Sequence, residues 1–121
     1  MGKMTIYQFT TKWDSSDHIT YMAVRGVECV GTCVVDYCGE AKTDALLWNL
    51  QVANECRQHG IARMLVAKAC EDAAARGCEE IALEWGAMDS DGWIFDWYKR
   101  LGFKYDCHTH RSVRMKKKLK Q

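Results

Sequence analysis

The sequence predicts one α/β domain of the α+β kind: a mixed, mostly antiparallel β-sheet with a central parallel pair and two main helices. Three observations predict it. The first half of the chain is made of β-branched, aromatic and cysteine-containing stretches separated by turn residues. At Gly60 the apolar period changes from that of strands to that of a helix. Beyond that helix the strand pattern returns, so one helix is enclosed between two strands. The length, 121 residues, suits one domain, and no proline, linker or repeat divides positions 1–121.

Thr5 to Thr11 mixes β-branched and aromatic residues and reads as the first strand. Trp13-Asp14-Ser15-Ser16-Asp17 is a turn. Ile19 to Val24 is the second strand, Gly26 breaks it, and Glu28 to Tyr37 is the third. Cys38 to Asp44 turns again, and Ala45 to Val52 is a strongly apolar fourth strand. From Gly60 to Arg76 apolar residues recur at 61, 65, 69 and 73, with Arg63, Lys68, Glu71, Asp72 and Arg76 on the other face. That is an amphipathic helix, with Gly77 at its C-terminal cap. Glu80 to Trp85 is a short strand. Asp89-Ser90-Asp91-Gly92 then offers an N-cap for a second helix, whose apolar face is Ile94, Trp97, Tyr98 and Leu101. Gly102 ends it, and Phe103 to His110 and Ser112 to Leu119 form a closing hairpin around Thr109 to Arg111. The predicted order is β-β-β-β-α-β-α-β-β. The unit from 45 to 85 is expected to be a right-handed parallel crossover.

Apolar residues make up 48% of the chain, enough for a packed core. The formal net charge is +1, a balance that does not suggest a nucleic-acid binder. The one dense basic run, Lys116-Lys117-Lys118-Leu119-Lys120, reads as a solvated chain end. The seven cysteines, 29, 33, 38, 56, 70, 78 and 107, are odd in number and contain no Cys-x-x-Cys pair. A disulfide framework is therefore not expected, and a reducing cytoplasm is. No signal peptide and no membrane helix are expected, since no apolar run is long enough.

The segment richest in chemistry runs from Leu46 to Ala62, where a strand passes through a short loop into a helix. A helix N-terminus leaves about four backbone N–H groups without intrahelical partners, and small residues such as Gly60 and Ala62 let an anion approach them. Arg57, His59 and Arg63 add positive charge. This is an anion cradle. It is not a P-loop, because no Gly-Lys-Ser/Thr follows, and it lacks the spacing of a dinucleotide fingerprint.

Arg57-Gln58-His59-Gly60-Ile61-Ala62 resembles the pyrophosphate-binding motif Gln/Arg-x-x-Gly-x-Gly/Ala of the GNAT superfamily of N-acetyltransferases. Two further segments are similar to that family. Trp97-Tyr98-Lys99-Arg100-Leu101-Gly102-Phe103 looks like its aromatic–Tyr-x-x-x-Gly-Phe signature, and Val113 to Leu119 like its last strand. The similarity covers about residues 27–119. It implies a GNAT-like sheet whose central parallel strands splay apart, with acetyl-coenzyme A as cosubstrate and no metal.

Carried over residue by residue, the resemblance places the pantetheine arm between Ala45–Val52 and Glu80–Trp85. Backbone groups of Leu50 and Val52 would pair with it, and the amide near Leu50 would polarise the thioester carbonyl. Amides from Gln58 through His59, Gly60, Ile61 and Ala62 to Arg63, beside Arg57, would hold the pyrophosphate. Tyr98 matches the tyrosine that protonates the leaving thiolate, although its place in the apolar pattern also suits a core aromatic. Asp91 stands where many relatives carry an asparagine that touches the pantetheine arm. An ionised aspartate accepts but cannot donate, so an N-cap role competes. The general base is left open. Some relatives use a glutamate where this chain has Leu46, and Asp44, Glu84 or a water chain could substitute. His108 and His110 read as exposed hairpin residues rather than metal ligands, and Cys56 as a bystander to direct transfer.

Relatives carry one or two helices between their first two strands, and these shape the acceptor pocket. Here only a turn separates them. The expectation is an open acceptor site for a large substrate, or a homodimer that completes it. The leading function is acetyl transfer to a primary amine by direct attack in a ternary complex. Its rival is a non-catalytic module that binds acyl-coenzyme A as a sensor or scaffold.

Overall fold

Four consecutive strands, β1 (Met4–Trp13), β2 (Ser16–Arg25), β3 (Glu28–Cys38) and β4 (Asp44–Val52), open the fold. They are followed by α1 (Ile61–Ala75), β5 (Glu80–Gly86), α2 (Trp93–Arg100), β6 (Lys104–His108) and β7 (Ser112–Lys118). This computed structural model describes residues 3–13, 16–38, 44–53, 60–86 and 93–119. The element order matches the one read from the sequence. The first strands are longer than expected: pairing runs from Met4↔Arg25 to Trp13↔Ser16, which confines the first connection to positions 14–15.

The seven strands form one sheet in the order β1-β2-β3-β4-β5-β7-β6. Every neighbouring pair is antiparallel except β4 and β5. β5 and β6 are each antiparallel to β7, so they are parallel to one another. The crossovers β4-α1-β5 and β5-α2-β6 therefore step across the sheet in the same direction. Both being right-handed, as such connections are, they place α1 and α2 on one face. The packing agrees. Ile61, Leu65, Val66, Ala69 and Ala73 of α1 join Tyr21, Cys33, Val35, Leu47, Ile81, Leu83 and Met115 of the sheet in one buried cluster, and Trp97 and Tyr98 of α2 pack against it. Each fully buried large side chain contributes roughly 1.5–3 kcal/mol by leaving water. Both helices end in Schellman motifs. Cys78 N–H bonds Ala73 C=O at 3.0 Å and Gly77 N–H bonds Ala74 C=O at 3.0 Å; Phe103 N–H reaches Tyr98 C=O at 3.1 Å and Gly102 N–H reaches Lys99 C=O at 3.0 Å.

The opposite face of the sheet has no helix among the described residues. Its side chains stand in cross-strand rows set by the register. One row is Tyr7, Met22, Thr32 and Gln51, and the next is Phe9, Thr20, Val34 and Trp48. Tyr7 is 51% exposed, Phe9 52% and Trp48 38%. Towards β5, β7 and β6 the same face becomes charged, with Arg114 on Glu84 at 2.9 Å and Lys116 on Glu80 at 3.2 Å. No helix among the described residues is long and apolar enough to cross a membrane.

Candidate active site

The parallel pair is short. β4 pairs with β5 only at Ala45↔Ile81, Leu46↔Ala82 and Leu47↔Leu83, although β4 runs on to Val52 and β5 to Gly86. Beyond Leu47 and Leu83 the strands part, and a gap opens in the middle of the sheet. This is the splay that the resemblance implies.

A bulge in β4 sits at the mouth of that gap. Trp48 pairs with Val34 and Gln51 with Thr32, so Asn49 and Leu50 together oppose the single residue Cys33. Asn49 has φ +55°, the left-handed conformation that asparagine tolerates better than other residues with a β-carbon. The Gln51 side-chain amide donates to Asn49 Oδ1 at 3.0 Å across this bend. The ladder to β3 resumes past the bulge, and Ala53 N–H bonds Val30 C=O at 2.9 Å. β4 is thus held firmly on its β3 side while its other edge turns away from β5. The sequence reading missed the bulge. Its one signal was the pair of polar residues Asn49 and Gln51 inside an otherwise apolar strand.

α1 begins at the same end of the sheet. Gly60 is its N-cap, at φ +77° in the left-handed region, with no side-chain cap and no acidic residue in the first turn. The first intrahelical bond is Met64 N–H to Gly60 C=O at 3.0 Å. The amides of Ile61, Ala62 and Arg63 therefore precede the helical ladder, at the positive end of the helix dipole. Of the residues expected to form the anion cradle, Gly60, Ile61, Ala62 and Arg63 are placed together here. Arg57, Gln58 and His59 lie outside the described residues, as do Asp91 and Cys56.

The helix start is anchored by a close approach that the sequence reading did not foresee. A β-carbon on Gly31 would lie 2.9 Å from Ile61 Cγ2, 3.1 Å from Leu65 Cδ1 and 3.2 Å from Gln51 O. Only a residue without that carbon lets α1 press its first turn onto β3. An open depression of about 270 Å³ lined by Cys29–Thr32 and Gln51–Ala53 lies beside this contact. It lies between β3 and the end of β4.

Tyr98 approaches from α2. Its ring packs edge-on against Phe103, centroids 6.1 Å apart, and against Trp97 at 5.0 Å. Burial pushes its phenol above the ordinary value of 10.0, and the nearby Cys33 thiol adds to this. Cys33, the residue opposite the bulge, belongs to the buried cluster that Tyr98 packs against. The packing bears out the core-aromatic reading of Tyr98, which belongs to the aromatic cluster of α2.

The two acidic candidates differ in position. Glu84 directly follows the last paired residue of β5, on the helix-free face, with Arg114 Nη1 2.9 Å from Glu84 Oε2. Asp44 precedes the paired stretch, about 14 Å along β4 from Trp48 at the usual rise per residue. Tyr105 hydroxyl bonds His108 Nδ1 in the exposed β6–β7 hairpin. Among the described residues no group of three His, Cys, Asp or Glu side chains could hold a metal ion.

The model of the acetyltransferase (GNAT) family matches residues 3–103 of the chain. Solved structures share the fold. Nourseothricin acetyltransferase is 24% identical, with a TM-score of 0.72 over 85% of this chain and 66% of that one. The PaiA N-acetyltransferase from Thermoplasma acidophilum, solved with coenzyme A, is 20% identical, with a TM-score of 0.74 over 84% of this chain and 60% of that one. The ribosomal-protein-S18-alanine N-acetyltransferase from Escherichia coli is 17% identical, with a TM-score of 0.72 over 86% and 70%. The chain thus spans 60–70% of the length of these three. No curated protein sequence matches it.

Proposed function

The chain belongs to the acetyltransferase (GNAT) family, and from that premise we propose that it transfers the acetyl group of acetyl-coenzyme A to a primary amine by direct attack in a ternary complex. The observation that carries this reading is the gap between β4 and β5, with the Asn49–Leu50 bulge at its mouth and the uncapped start of α1 at its end. Residues 1–121 act as one domain in this reading.

The residues fit the coenzyme. The amides of Ile61, Ala62 and Arg63 would take the pyrophosphate, with Gly60 allowing close approach and Arg63 supplying charge. Arg57, Gln58 and His59 belong to the same motif. The backbone of Leu50 and Val52 would accompany the pantetheine arm, as Asp91 would at its side. The Leu50 amide would stabilise the oxyanion that forms as the amine adds to the thioester carbonyl. One such donor is typically worth roughly a hundred- to thousand-fold in rate. Coenzyme A held from the α1 side leaves the helix-free face for the acceptor. Glu84 stands on that face at the gap and is the base we assign for the incoming ammonium, directly or through water. Tyr98, on the other side, is the acid that gives its proton to the departing thiolate. The six described cysteines are free, which supports a reducing cytoplasm as the setting.

The test is release of free thiol from acetyl-coenzyme A in the presence of a panel of amines, small molecules and peptide N-termini together. Release that depends on one amine class is the expected result and names the acceptor. Coenzyme A that binds without any amine-dependent release would transfer the assignment to the acyl-coenzyme A sensor or scaffold.

A further inference from the structure

The basic run that the sequence suggests is a solvated chain end lies largely in a strand. Lys116, Lys117 and Lys118 belong to β7, and beyond them Leu119 N–H bonds Glu79 C=O at 2.9 Å. Strand alternation sends neighbouring lysines to opposite faces. Lys116 reaches Glu80 at 3.2 Å and Asp106 at 3.7 Å on the helix-free face. Lys117 pairs in register with Ile81, a member of the buried cluster, and so turns towards the helices. There its Nζ donates to the Leu101 carbonyl at 3.0 Å, just past the end of α2. Its stem lies on Gly102: a β-carbon there would meet Lys117 Cε at 3.0 Å and Cδ at 3.3 Å. Burial raises the Cys70 thiol of α1 and the Lys117 charge partly offsets this, so the ammonium acts on α1 as well.

We propose that Lys117 is a positioning residue for Tyr98: by tying the last turn of α2 to β7 it sets the direction in which the phenol hydroxyl points. The inference rests on the proposed acetyl transfer, in which that hydroxyl is the acid. α2 has eight residues, too few to be stable by its own hydrogen bonds. Tyr98 stands in its last turn. The Tyr98 carbonyl accepts from Leu101 N–H at 3.0 Å and from Phe103 N–H at 3.1 Å, and the Lys99 carbonyl accepts from Gly102 N–H at 3.0 Å. These bonds close the turn on itself. Leu101 and Phe103 press it into the core, at 7% and 1% exposure, but apolar burial has no direction. A hydrogen bond has one. The Lys117 bond to the Leu101 carbonyl therefore fixes the rotation of the turn about its axis, and its charge sits favourably at the negative end of the helix dipole. Rotation is what the acid depends on, because a misplacement of about 1 Å can cost on the order of a hundredfold in rate.

A double-mutant cycle on kcat tests this. Lys117→Met keeps the stem against Gly102 and removes the donor, so the fold should survive; circular dichroism melting checks this. Lys117→Gln, whose amide nitrogen falls one atom short, is the second variant should the first melt early. In either, kcat for amine-dependent thiol release should fall about fivefold or more, with KM for acetyl-coenzyme A within about twofold. In the Tyr98→Phe background the same change should lower kcat less than about twofold, because the acid it positions is gone. Lys117→Arg, which keeps a donor, should recover most of the rate, and Lys118→Met, at an exposed position of the same strand, should leave kcat unaltered. Equal losses in both backgrounds would mark a general effect on the fold and overturn the positioning role. An unchanged kcat in Lys117→Met, with Tyr98→Phe impaired, would overturn it and leave the acid standing. Tyr98→Phe with full kcat would instead strike the acid, and the positioning with it. Should the unaltered protein release no thiol at all, acetyl transfer is struck, and hydrogen exchange at Leu101–Phe103 decides the tie: faster exchange in Lys117→Met upholds it, and unchanged exchange overturns it.

Discussion

In the proposed transfer Tyr98 is the acid and Glu84 the base; Tyr98 is half-buried among the aromatics of α2, and Glu84 lies on the helix-free face next to the last paired residue of β5. Their roles separate under substitution. Tyr98→Phe keeps the ring packing against Trp97 and Phe103 and removes only the acidic proton. Coenzyme A affinity should be unchanged and kcat should fall about tenfold or more, as expected for lost general-acid help. An unchanged kcat would remove Tyr98 from the chemistry. Glu84→Gln should lower the rate most for amines that arrive protonated, because a base matters only where a proton must leave. A rate loss equal across strongly and weakly basic amines would return the base role to solvent.

At the level of elements, the site is a product of two irregularities in otherwise regular structure. The bulge at Asn49 turns β4, and the missing side chain at Gly31 seats α1. Gly31→Val would force its side chain into Ile61 and Leu65. Overpacking of this kind costs about 1–3 kcal/mol, readable in urea unfolding. The same change should weaken coenzyme A binding, because the first turn of α1 would be pushed off β3. Stability lost with affinity intact would detach the cradle from this contact. Neither irregularity could be read beforehand with confidence in its purpose. A strand with Asn49 and Gln51 in it keeps its apolar pattern, and a glycine that permits a close approach shows its need only once its neighbour is placed. The helix start at Gly60 and the aromatic helix at Tyr98 were legible, because spacing, small residues and the following glycine each constrain local backbone. The order of elements was legible for the same reason. The helix-free face was half legible. Its cause, a bare turn between the first two strands, stood in the sequence, but the cross-strand rows depend on register.

For the molecule as a whole, the core is rich in groups that resist ionisation. Burial raises the thiol of Cys33 to about 12 from 9.0, and burial first among several causes raises Tyr21, Tyr37, Cys70, Cys78 and Tyr98. Tyr21 also donates to Asp72 Oδ2 at 2.8 Å, and Arg76 lies 4.0 Å over the Tyr37 ring. The folded state holds these protons more tightly than the unfolded chain does. The stability they confer is therefore complete below the ordinary thiol value of 9.0, and it is lost as pH rises from there through the raised values. Melting temperature should be flat across neutral pH and fall steadily above about pH 9. A Tm that rises in that range would contradict this account of the core.

The central claim is that acetyl-coenzyme A lies in the gap between β4 and β5 with its pyrophosphate on the start of α1. Hydrogen–deuterium exchange with and without acetyl-coenzyme A tests it directly, because the contacts are to backbone amides. Slowed exchange confined to Trp48–Val52 and Ile61–Arg63 is the predicted result. Protection elsewhere on the sheet, with these two segments unchanged, would contradict it.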